Sequence, residues 1–172
     1  MTSSPVLVVL GGLLGTGKTT LARRLARHLA AVHLRIDTIE QAVVRSSLPV
    51  DEAAEVGYTA AAGVAGDNLR LGLSVVADCV NPVAESQAGW HAVATETGAR
   101  LVEILLVCSD ADEHRRRVEE RVADIRGHVQ PTWAAVSTST LAPWPGAVVL
   151  DTAGRDAPEI AHDARALIDA DA

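Results

Sequence analysis

The sequence predicts an α/β fold built on a doubly wound, five-stranded parallel sheet. Short apolar runs alternate with helix-like stretches along the 172 residues, which is typical of parallel strands joined by crossover helices. Hydrophobic residues make up 48% of the chain and aromatic residues only 2%, so Leu, Val, Ile and Ala must fill the core. These residue types dominate parallel strands that are buried on both faces. No repeat or composition break divides the chain, and we expect one domain over residues 1–172.

The first predicted strand leads directly into a glycine-rich loop. Val6 to Leu10 form an apolar run, and residues 12–19 read Gly-Leu-Leu-Gly-Thr-Gly-Lys-Thr, which fits the pattern G-x-x-x-x-G-K-[ST]. Leu21, Leu25 and Leu29 then recur on one face of a predicted helix. A strand, a glycine loop and a helix start in this order are the context in which the pattern forms a phosphate-binding loop.

The residue types of this loop suit a nucleoside triphosphate. Gly15 and Gly17 let backbone N–H groups turn towards a phosphate, and the helix N-terminus adds partial positive charge. Lys18 supplies a charge for the β- and γ-phosphates and acts in catalysis, while the Thr19 hydroxyl can ligate Mg²⁺. The predicted nucleotide-binding residues of the loop are Gly12, Gly15, Thr16, Gly17, Lys18, Thr19 and Thr20.

Strands and helices alternate through the rest of the chain. The later strands are predicted over residues 32–36, 73–77, 101–107 and 147–150. Later helices are predicted over residues 38–44 and 82–97, from a cap at Ser109 and Asp110 to about Ala123, and over 157–170. Residues 51–72 are rich in Ala but contain three glycines, so we expect a helical stretch with at least one interruption.

Three of the predicted strands end in an aspartate: Asp37, Asp78 and Asp151. Ligands of open α/β sheets bind outside the carboxyl ends of the strands, so Asp37 and Asp78 are candidate site residues. Asp78 follows an apolar run in the form of a Walker B element, and we expect it to support Mg²⁺ through water; alternatively it only caps a turn. Asp37 is predicted to orient or deprotonate the acceptor, with Arg35 and Glu40 as substrate contacts. Alternatively, Asp37 caps the following helix with Glu40 at its third position.

The last strand is followed by a loop of the form D-T-A-G. A D-x-x-G loop binds Mg²⁺ and the γ-phosphate in GTPases, but there it lies closer to the phosphate loop and an N-K-x-D motif follows. This chain has no N-K-x-D, which argues against a GTPase. We expect the loop to contact the base through backbone groups, or to form a plain turn between strand and helix. Its predicted nucleotide-binding residues are Asp151, Thr152, Ala153 and Gly154.

A basic run over residues 114–121 precedes an irregular segment that contains Gly and Pro. Arg117 and Arg121 are four residues apart and would share one face of a helix. A movable arginine can neutralise charge on a transferring phosphoryl group or stack on adenine, so both arginines are candidate catalytic residues, and Arg117 a nucleotide contact, in a lid within residues 117–145. The alternative is a solvated helix whose glutamates pair with the arginines. Trp133 and Trp144 either line an acceptor pocket or pack the segment.

The net charge and the first residues of the chain limit which partners we expect. The net charge is −7 and the pI about 5.3, so we expect repulsion from long nucleic acids. The first residues lack a basic region, and no apolar run reaches about 18 residues. We therefore expect a cytoplasmic protein that does not enter membranes.

Taken together, the loop of residues 12–19, Asp37, Asp78, the R-x-x-x-R run and the D-T-A loop resemble those of the small P-loop kinases. The chain is most similar to a bacterial group of AAA-type, ATPase-like kinases that includes chloramphenicol phosphotransferase, gluconate kinase, adenylylsulfate kinase and zeta-toxin kinases. The resemblance implies the strand order 2-3-1-4-5, ATP with Mg²⁺ as donor, and an acceptor-side Asp at Asp37. It also implies adenine and lid arginines near Arg117 and Arg121 and adenine contacts from residues 151–154. The acceptor-binding segments of these families have no recognisable counterpart in the chain.

The sequence thus predicts an ATP-dependent phosphotransferase that acts on a hydroxyl group of a small molecule. One alternative is a nucleotide-binding switch or regulatory ATPase with a protein partner. The other is a kinase of nucleic-acid ends, which would require a basic groove leading to Asp37.

Overall fold

A five-stranded parallel sheet in the order β2-β3-β1-β4-β5 forms the centre of the molecule, as a computed structural model shows; the structure describes residues 4–47 and 53–170. The strands are β1 (Val6–Gly11), β2 (Val32–Arg35), β3 (Val75–Asp78), β4 (Arg100–Val107) and β5 (Val148–Asp151). The helices are α1 (Lys18–Leu29), α2 (Ile36–Val44), α3 (Ala53–Arg70), α4 (Ala84–Thr97), α5 (Ala111–Glu119), α6 (Trp133–Thr138) and α7 (Ala157–Asp169). The predicted fold class and strand order are confirmed.

The central strand β1 is buried on both faces, which explains its continuous apolar sequence. Val8 and Leu10 face the layer formed by α1 and α7, where Leu25 is fully buried. Leu7 and Val9 face the opposite layer, which holds α3 and α4. Because β1 lies between β3 and β4, its carboxyl end and the loop after it are at the middle of the sheet edge.

Helix α3 is continuous from Ala53 to Arg70, so the predicted interruption is wrong for this part; residues 51 and 52 lie outside the described residues. Ala61 and Ala65 are fully buried against the sheet, and this packing outweighs the low helix propensity of glycine. Gly57 is needed where α3 meets α2, because a Cβ there would lie 2.5 Å from Cγ of Glu40.

Two other helix boundaries differ from the prediction and change the interpretation of site residues. Helix α2 begins at Ile36 with Arg35 as its N-cap, so Asp37 lies inside the first turn and the predicted cap is wrong. Helix α5 is capped by Asp110, whose carboxylate accepts from the N–H of Glu113 at 2.9 Å, and it ends at Glu119. Arg121 therefore follows the helix and does not share a helical face with Arg117.

The segment after α5 is irregular except for α6 and returns to the sheet at Trp144. The indole Nε1 donates to the buried carboxylate of Glu103 at 2.9 Å. The ring covers Gly11, where a Cβ would overlap it. Trp144 thus packs the segment onto the end of β1, as one of the two interpretations of this residue anticipated. Across residues 4–47 and 53–170, no helix is both long and apolar enough to cross a membrane.

Candidate active site

The loop between β1 and α1 has the conformation that its glycines predict. Gly12, Gly15 and Gly17 have φ values of 131°, 85° and 93°, a region that other residues rarely adopt. A Cβ at Gly12 would also overlap the carbonyl oxygen of Leu106 on β4. The loop therefore requires glycine at position 12 for both conformation and space.

Lys18 begins α1 and points back into the loop. Its Nζ donates to the carbonyl oxygen of Leu13 at 2.8 Å, and the Thr16 hydroxyl donates to the same oxygen at 2.9 Å. Burial lowers the pKa of Lys18, while the charges of Asp78 and Asp37 act in the opposite direction. The ammonium group thus lies close enough to both predicted site carboxylates to interact with them.

A cavity of about 480 Å³ opens beside this loop and is called the nucleotide cavity below. Loop residues 15–21 line one side, and Arg117, Arg121 and Thr152 contribute to the other. Of the four residues predicted in the D-T-A-G loop, only Thr152 is among those that line it. Gly12 lies outside the lining and contributes through the loop conformation.

Asp151 uses its carboxylate to close the turn after β5. One oxygen accepts from the N–H groups of Ser109 and Ala153, both at 3.0 Å. A hydrogen bond from the Ser109 side chain first, and then those from the N–H groups of Ala153 and Ser109, lower the pKa of Asp151. A nucleotide contact by Asp151, Ala153 or Gly154 stays a prediction.

The two predicted arginines have different environments. Arg117 donates to the Thr152 hydroxyl at 2.8 Å, to the Thr152 carbonyl at 2.9 Å and to Glu113 at 2.5 Å. Glu113 also accepts from the N–H of Gly154 at 2.8 Å, so Arg117 fixes α5 to the loop after β5. Arg121 lies near enough to Lys18 for its charge to lower the pKa of that lysine.

Asp78 is buried at the carboxyl end of β3, with 3% of its surface exposed. His33 Nε2 lies 3.3 Å from its carboxylate, and Arg35 Nε lies 3.9 Å from the same oxygen. The pairing of β2 with β3 sets Arg35 opposite Asp78. Sheet register therefore brings two of the predicted residues together.

A carboxylate from the segment after α5 binds Arg35. Asp124 accepts from both terminal nitrogens of Arg35, at 2.8 and 3.0 Å, and from Arg23 on α1 at 2.6 Å. The hydrogen bond from Arg35, followed by that from Arg23, holds the pKa of Asp124 well below its usual range although burial opposes the shift. Asp124 was missed by the sequence analysis, because nothing local to it indicates a partner 89 residues away.

Four residues from α2, α3 and the segment after β3 interact with one another and are here called the acceptor-side residues: Asp37 and Glu40 on α2, Tyr58 on α3, and Asn81 after β3. None of the four lines the nucleotide cavity. The N–H of Asn81 donates to the Tyr58 hydroxyl at 2.8 Å, and Glu40 packs on Gly57, the neighbour of Tyr58. Burial and, second, the charge of Asp37 raise the pKa of Glu40. Tyr58 and Asn81 were missed by the sequence analysis.

His114 on α5 contacts the phosphate loop and was also missed by the sequence analysis. Its Nε2 lies 2.7 Å from the carbonyl oxygen of Leu14, and its ring meets Trp133 edge-on with 5.2 Å between centroids. The only sequence signal was that His114 and Val118 lie four residues apart and can share a face; both prove to be buried against Gly15. Trp133 therefore packs on α5.

The sheet order, the loop and the cavity beside it define a protein with the P-loop NTPase fold. The AAA domain family AAA_33 matches residues 7–139, and the chain belongs to this family. No curated protein matches the chain significantly.

Solved structures with the same fold include kinases. APS kinase CysC from Mycobacterium tuberculosis, in complex with AMPPNP and APS, is 19% identical with a TM-score of 0.71, over 96% of this chain and 98% of its own. A gluconokinase from Sinorhizobium meliloti is 19% identical with a TM-score of 0.70, over 97% and 93%. Kti12 from Chaetomium thermophilum, in complex with ADP-AlF3, is 19% identical with a TM-score of 0.68, over 96% and 99%. At these identities the likeness is one of fold.

Proposed function

We propose that the chain is an ATP-dependent phosphotransferase that moves the γ-phosphoryl group of ATP to a hydroxyl of a small molecule. The observation that carries this proposal is the position of Lys18, which joins the phosphate loop to Asp78 and Asp37. A protein that only binds a nucleotide needs the contact between Lys18 and the phosphate loop. A carboxylate beside that lysine additionally offers a group that can orient a phosphoryl acceptor. The kinases among the structural relatives support the same class of reaction.

The donor half of the proposed site is the nucleotide cavity. Loop amides and Lys18 would hold the phosphates, with Lys18 exchanging the Leu13 carbonyl for a phosphate oxygen. Arg121 would reach the transferring group, because it lines the cavity near Lys18. Arg117 would contribute mainly by holding Thr152 at the cavity wall. Base contacts from residues 151–154 are part of the proposal.

The residues present fit a magnesium ion held mainly by the nucleotide. Thr19 offers a hydroxyl at the cavity wall, and Asp78 offers a buried carboxylate near Lys18. Hydroxyl and carboxylate oxygens are the ligands that Mg²⁺ prefers. Among the described residues no group of three or more His, Cys, Asp or Glu could hold a metal ion. When bound, Mg²⁺ supplies charge that neutralises the phosphates.

Asp37 is the proposed acceptor-side residue. It lies in the first turn of α2, its side chain is 28% exposed, and its charge acts on Lys18. From there it would accept the hydroxyl proton or orient the hydroxyl. Arg35 would position Asp37, 3.7 Å from its guanidinium, and Glu40 would contact the acceptor. Two free cysteines fit a reducing, ATP-supplying compartment, for which we propose the cytoplasm.

The test is ATP consumption with a panel of hydroxylated small molecules. We expect at least one acceptor to raise ADP formation and become phosphorylated. Asp37→Asn should lower transfer by about 10²–10⁴-fold while nucleotide affinity stays within about twofold, since the loop is unchanged.

Asp67→Asn is the matched control, because Asp67 lies on an exposed helical turn, its side chain is 82% exposed, and Arg70 is its ion-pair partner among the described residues. We expect it to leave transfer and nucleotide affinity as in the wild type. If no acceptor raises ADP formation, or if Asp37→Asn loses nucleotide affinity instead of transfer, the proposed function is wrong.

A further inference from the structure

A second cavity lies between α1 and α7 and takes no part in the proposed reaction. Its volume is about 450 Å³, within the range of cavities that hold small molecules. Arg27 and His28 of α1 line it together with His162 and Arg165 of α7, and it is called the basic groove below. The basic groove and the nucleotide cavity have no lining residue in common.

The basic groove has no carboxylate of its own. Neither Asp nor Glu is among the described residues that line it, and α1 contains no acidic residue along its length. The acidic residues of α7 that lie nearest in sequence bind elsewhere. Asp163 accepts from Arg155 at 2.6 Å, and Glu159 accepts from the N–H of Asp156 at 3.0 Å. Two helices thus bring cations to the groove without bringing a counter-charge.

The arginines of the groove also differ from those at the nucleotide cavity. The side chains of Arg27 and Arg165 form neither a hydrogen bond nor an ion pair within residues 4–47 and 53–170. Arg23, one turn before Arg27, pairs with Asp124 at 2.6 Å, and Arg155 pairs with Asp163 at 2.6 Å. Pairing with carboxylates is therefore the rule for nearby arginines, and the groove is an exception.

This exception is not explained by the composition of the chain or by the helix dipole. The chain has 22 Asp and Glu but only 15 Lys and Arg, so carboxylates are in excess. Arg27 and His28 lie in the last turn of α1, where the dipole favours a cation, but α7 has no basic residue in its last turn. Arg165 is therefore placed against the cations of α1 without that benefit, and like charges around one groove repel each other.

The positions of the charges indicate the kind of anion that would relieve this repulsion. His162 and Arg165 are three residues apart on one helix face, which separates them by about 4.5 Å along the axis. Arg27 and His28 provide the opposite wall. Cations spread along two walls match an anion whose charges are spread along its length, and a guanidinium binds phosphoryl oxygens in pairs.

We propose that the basic groove binds a small linear anion of two or more linked phosphoryl groups, with Arg27 and Arg165 donating to it from opposite walls. The phosphoryl chain belongs either to a free polyphosphate or to a nucleotide. This inference goes beyond the proposed function and does not depend on it, because the two cavities are separate.

The experiment titrates tripolyphosphate into protein labelled with ¹⁵N in its histidine rings and follows the ring resonances by NMR. Ionic strength is held constant with KCl, so that screening alone changes nothing. We expect the resonances of His28 and His162, assigned with His28→Gln and His162→Gln, to shift along one saturation curve. His114, which contacts Leu14, reports binding at the phosphate loop separately, and His91, which pairs with Glu103, should not shift.

Arg27→Gln and Arg165→Gln remove one guanidinium from each wall. We expect each to weaken binding at His28 and His162 by about tenfold, through the loss of charge-assisted hydrogen bonds, and to leave the His114 curve unchanged. Arg116→Gln is the matched control, because Arg116 is an exposed arginine of α5 outside the groove. It should bind tripolyphosphate at the groove as the wild type does.

Two further ligands identify the source and the class of the anion. ATP without Mg²⁺ that saturates His28 and His162 at lower concentration than tripolyphosphate assigns the groove to a nucleotide, and the reverse order assigns it to a free chain. Citrate, a small anion whose charges are carboxylates, should bind at least about tenfold more weakly.

Three results would overturn the proposal: no saturable shift at His28 and His162, citrate that binds as tightly as tripolyphosphate, or binding that survives unchanged in Arg27→Gln and Arg165→Gln. None of them bears on the phosphotransferase, whose assay measures ADP formation with an acceptor.

Discussion

The phosphate loop and the acceptor-side residues both lie beside Lys18 but are built differently. Within the loop, the side-chain hydrogen bonds of Lys18 and Thr16 reach Leu13, at most five positions away. On the acceptor side, Tyr58 and Asn81 are 23 positions apart, and Arg35 pairs with Asp124, 89 positions away at the wall of the nucleotide cavity. The conformation of the loop is thus largely encoded by a local motif, although His114 also supports it from α5, whereas the acceptor side exists only after the chain has folded.

The same comparison separates satisfied from unsatisfied groups. In the loop, Lys18 and Thr16 each have a backbone acceptor. On the acceptor side, the buried amide of Asn81 lacks a hydrogen-bond partner among the described residues. The side chains of the loop are thus paired within the protein, whereas Asn81 leaves a buried amide unpaired, which is rare in folded proteins.

The largest effect is expected where the two regions meet. Lys18→Met should lower phosphoryl transfer by about 10²–10³-fold or more, because a preorganised charge on the transferring group is lost. It should also weaken triphosphate binding relative to diphosphate, as measured by calorimetry with both nucleotides.

Arg24→Met is the matched control for that change, since Arg24 lies on the exposed side of the same helix. We expect wild-type transfer from it. An unchanged preference for triphosphate over diphosphate in Lys18→Met would show that the lysine does not contact the terminal phosphate.

The next effect concerns the conformation of the loop. Gly12→Ala should lower the free energy of unfolding by about 3 kcal/mol, because it adds a clash with the backbone of Leu106 to the strain of a positive φ. Gly72→Ala has the strain alone, with φ 82° and no atom within 4 Å of a new Cβ, and should cost about 1–2 kcal/mol. Urea unfolding measures the loss of unfolding free energy in both variants. Equal losses would show that the clash with Leu106 adds nothing to the strain of the positive φ.

The contrast between local and long-range contacts also explains what the sequence could predict. The loop and the approach of Asp78 to Lys18 follow from patterns within single strand–loop–helix units, while the sheet order was implied by the resemblance to small P-loop kinases. The continuity of α3 did not follow from the sequence, because it depends on the burial of Ala61 and Ala65 against the sheet.

The partners of the arginines were harder still to predict. Spacing placed Arg117 and Arg121 on one helical face, but α5 ends at Glu119, where the chain turns to bring Asp124 to Arg35. Charge pairs between distant segments carry no periodic signal, so neither Asp124 nor the bond from Arg117 to Thr152 could be anticipated.

A smaller effect is expected at the contact that ties the segment after α5 to the sheet. Asp124→Asn should cost about 1–2 kcal/mol of unfolding free energy, below the 3–5 kcal/mol of a fully buried pair, because Asp124 is 38% exposed and Arg35 retains two other carboxylates.

The pH dependence of this contact has a defined sign. Because the pKa of folded Asp124 is depressed, its contribution is complete above the unfolded pKa of about 3.9 and is lost as pH falls below it. The difference between wild type and Asp124→Asn in urea unfolding should thus be constant from pH 7 to about 5 and shrink below about 4. A difference that grows on acidification would contradict the assignment.

The smallest effect is expected from a second carboxylate in the same part of the chain. Glu119 pairs with Arg115 one helical turn earlier at 2.8 Å, but both side chains are about half exposed, 49% and 59%. The pair is screened by water, and Glu119 ends α5, where a negative charge opposes the helix dipole. Losing the pair and relieving that repulsion act in opposite directions, so Glu119→Gln should unfold in urea with wild-type behaviour, within the scatter of replicate curves. A loss as large as that of Asp124→Asn would mean that α5 itself, and not its tie to Arg35, holds the segment in place.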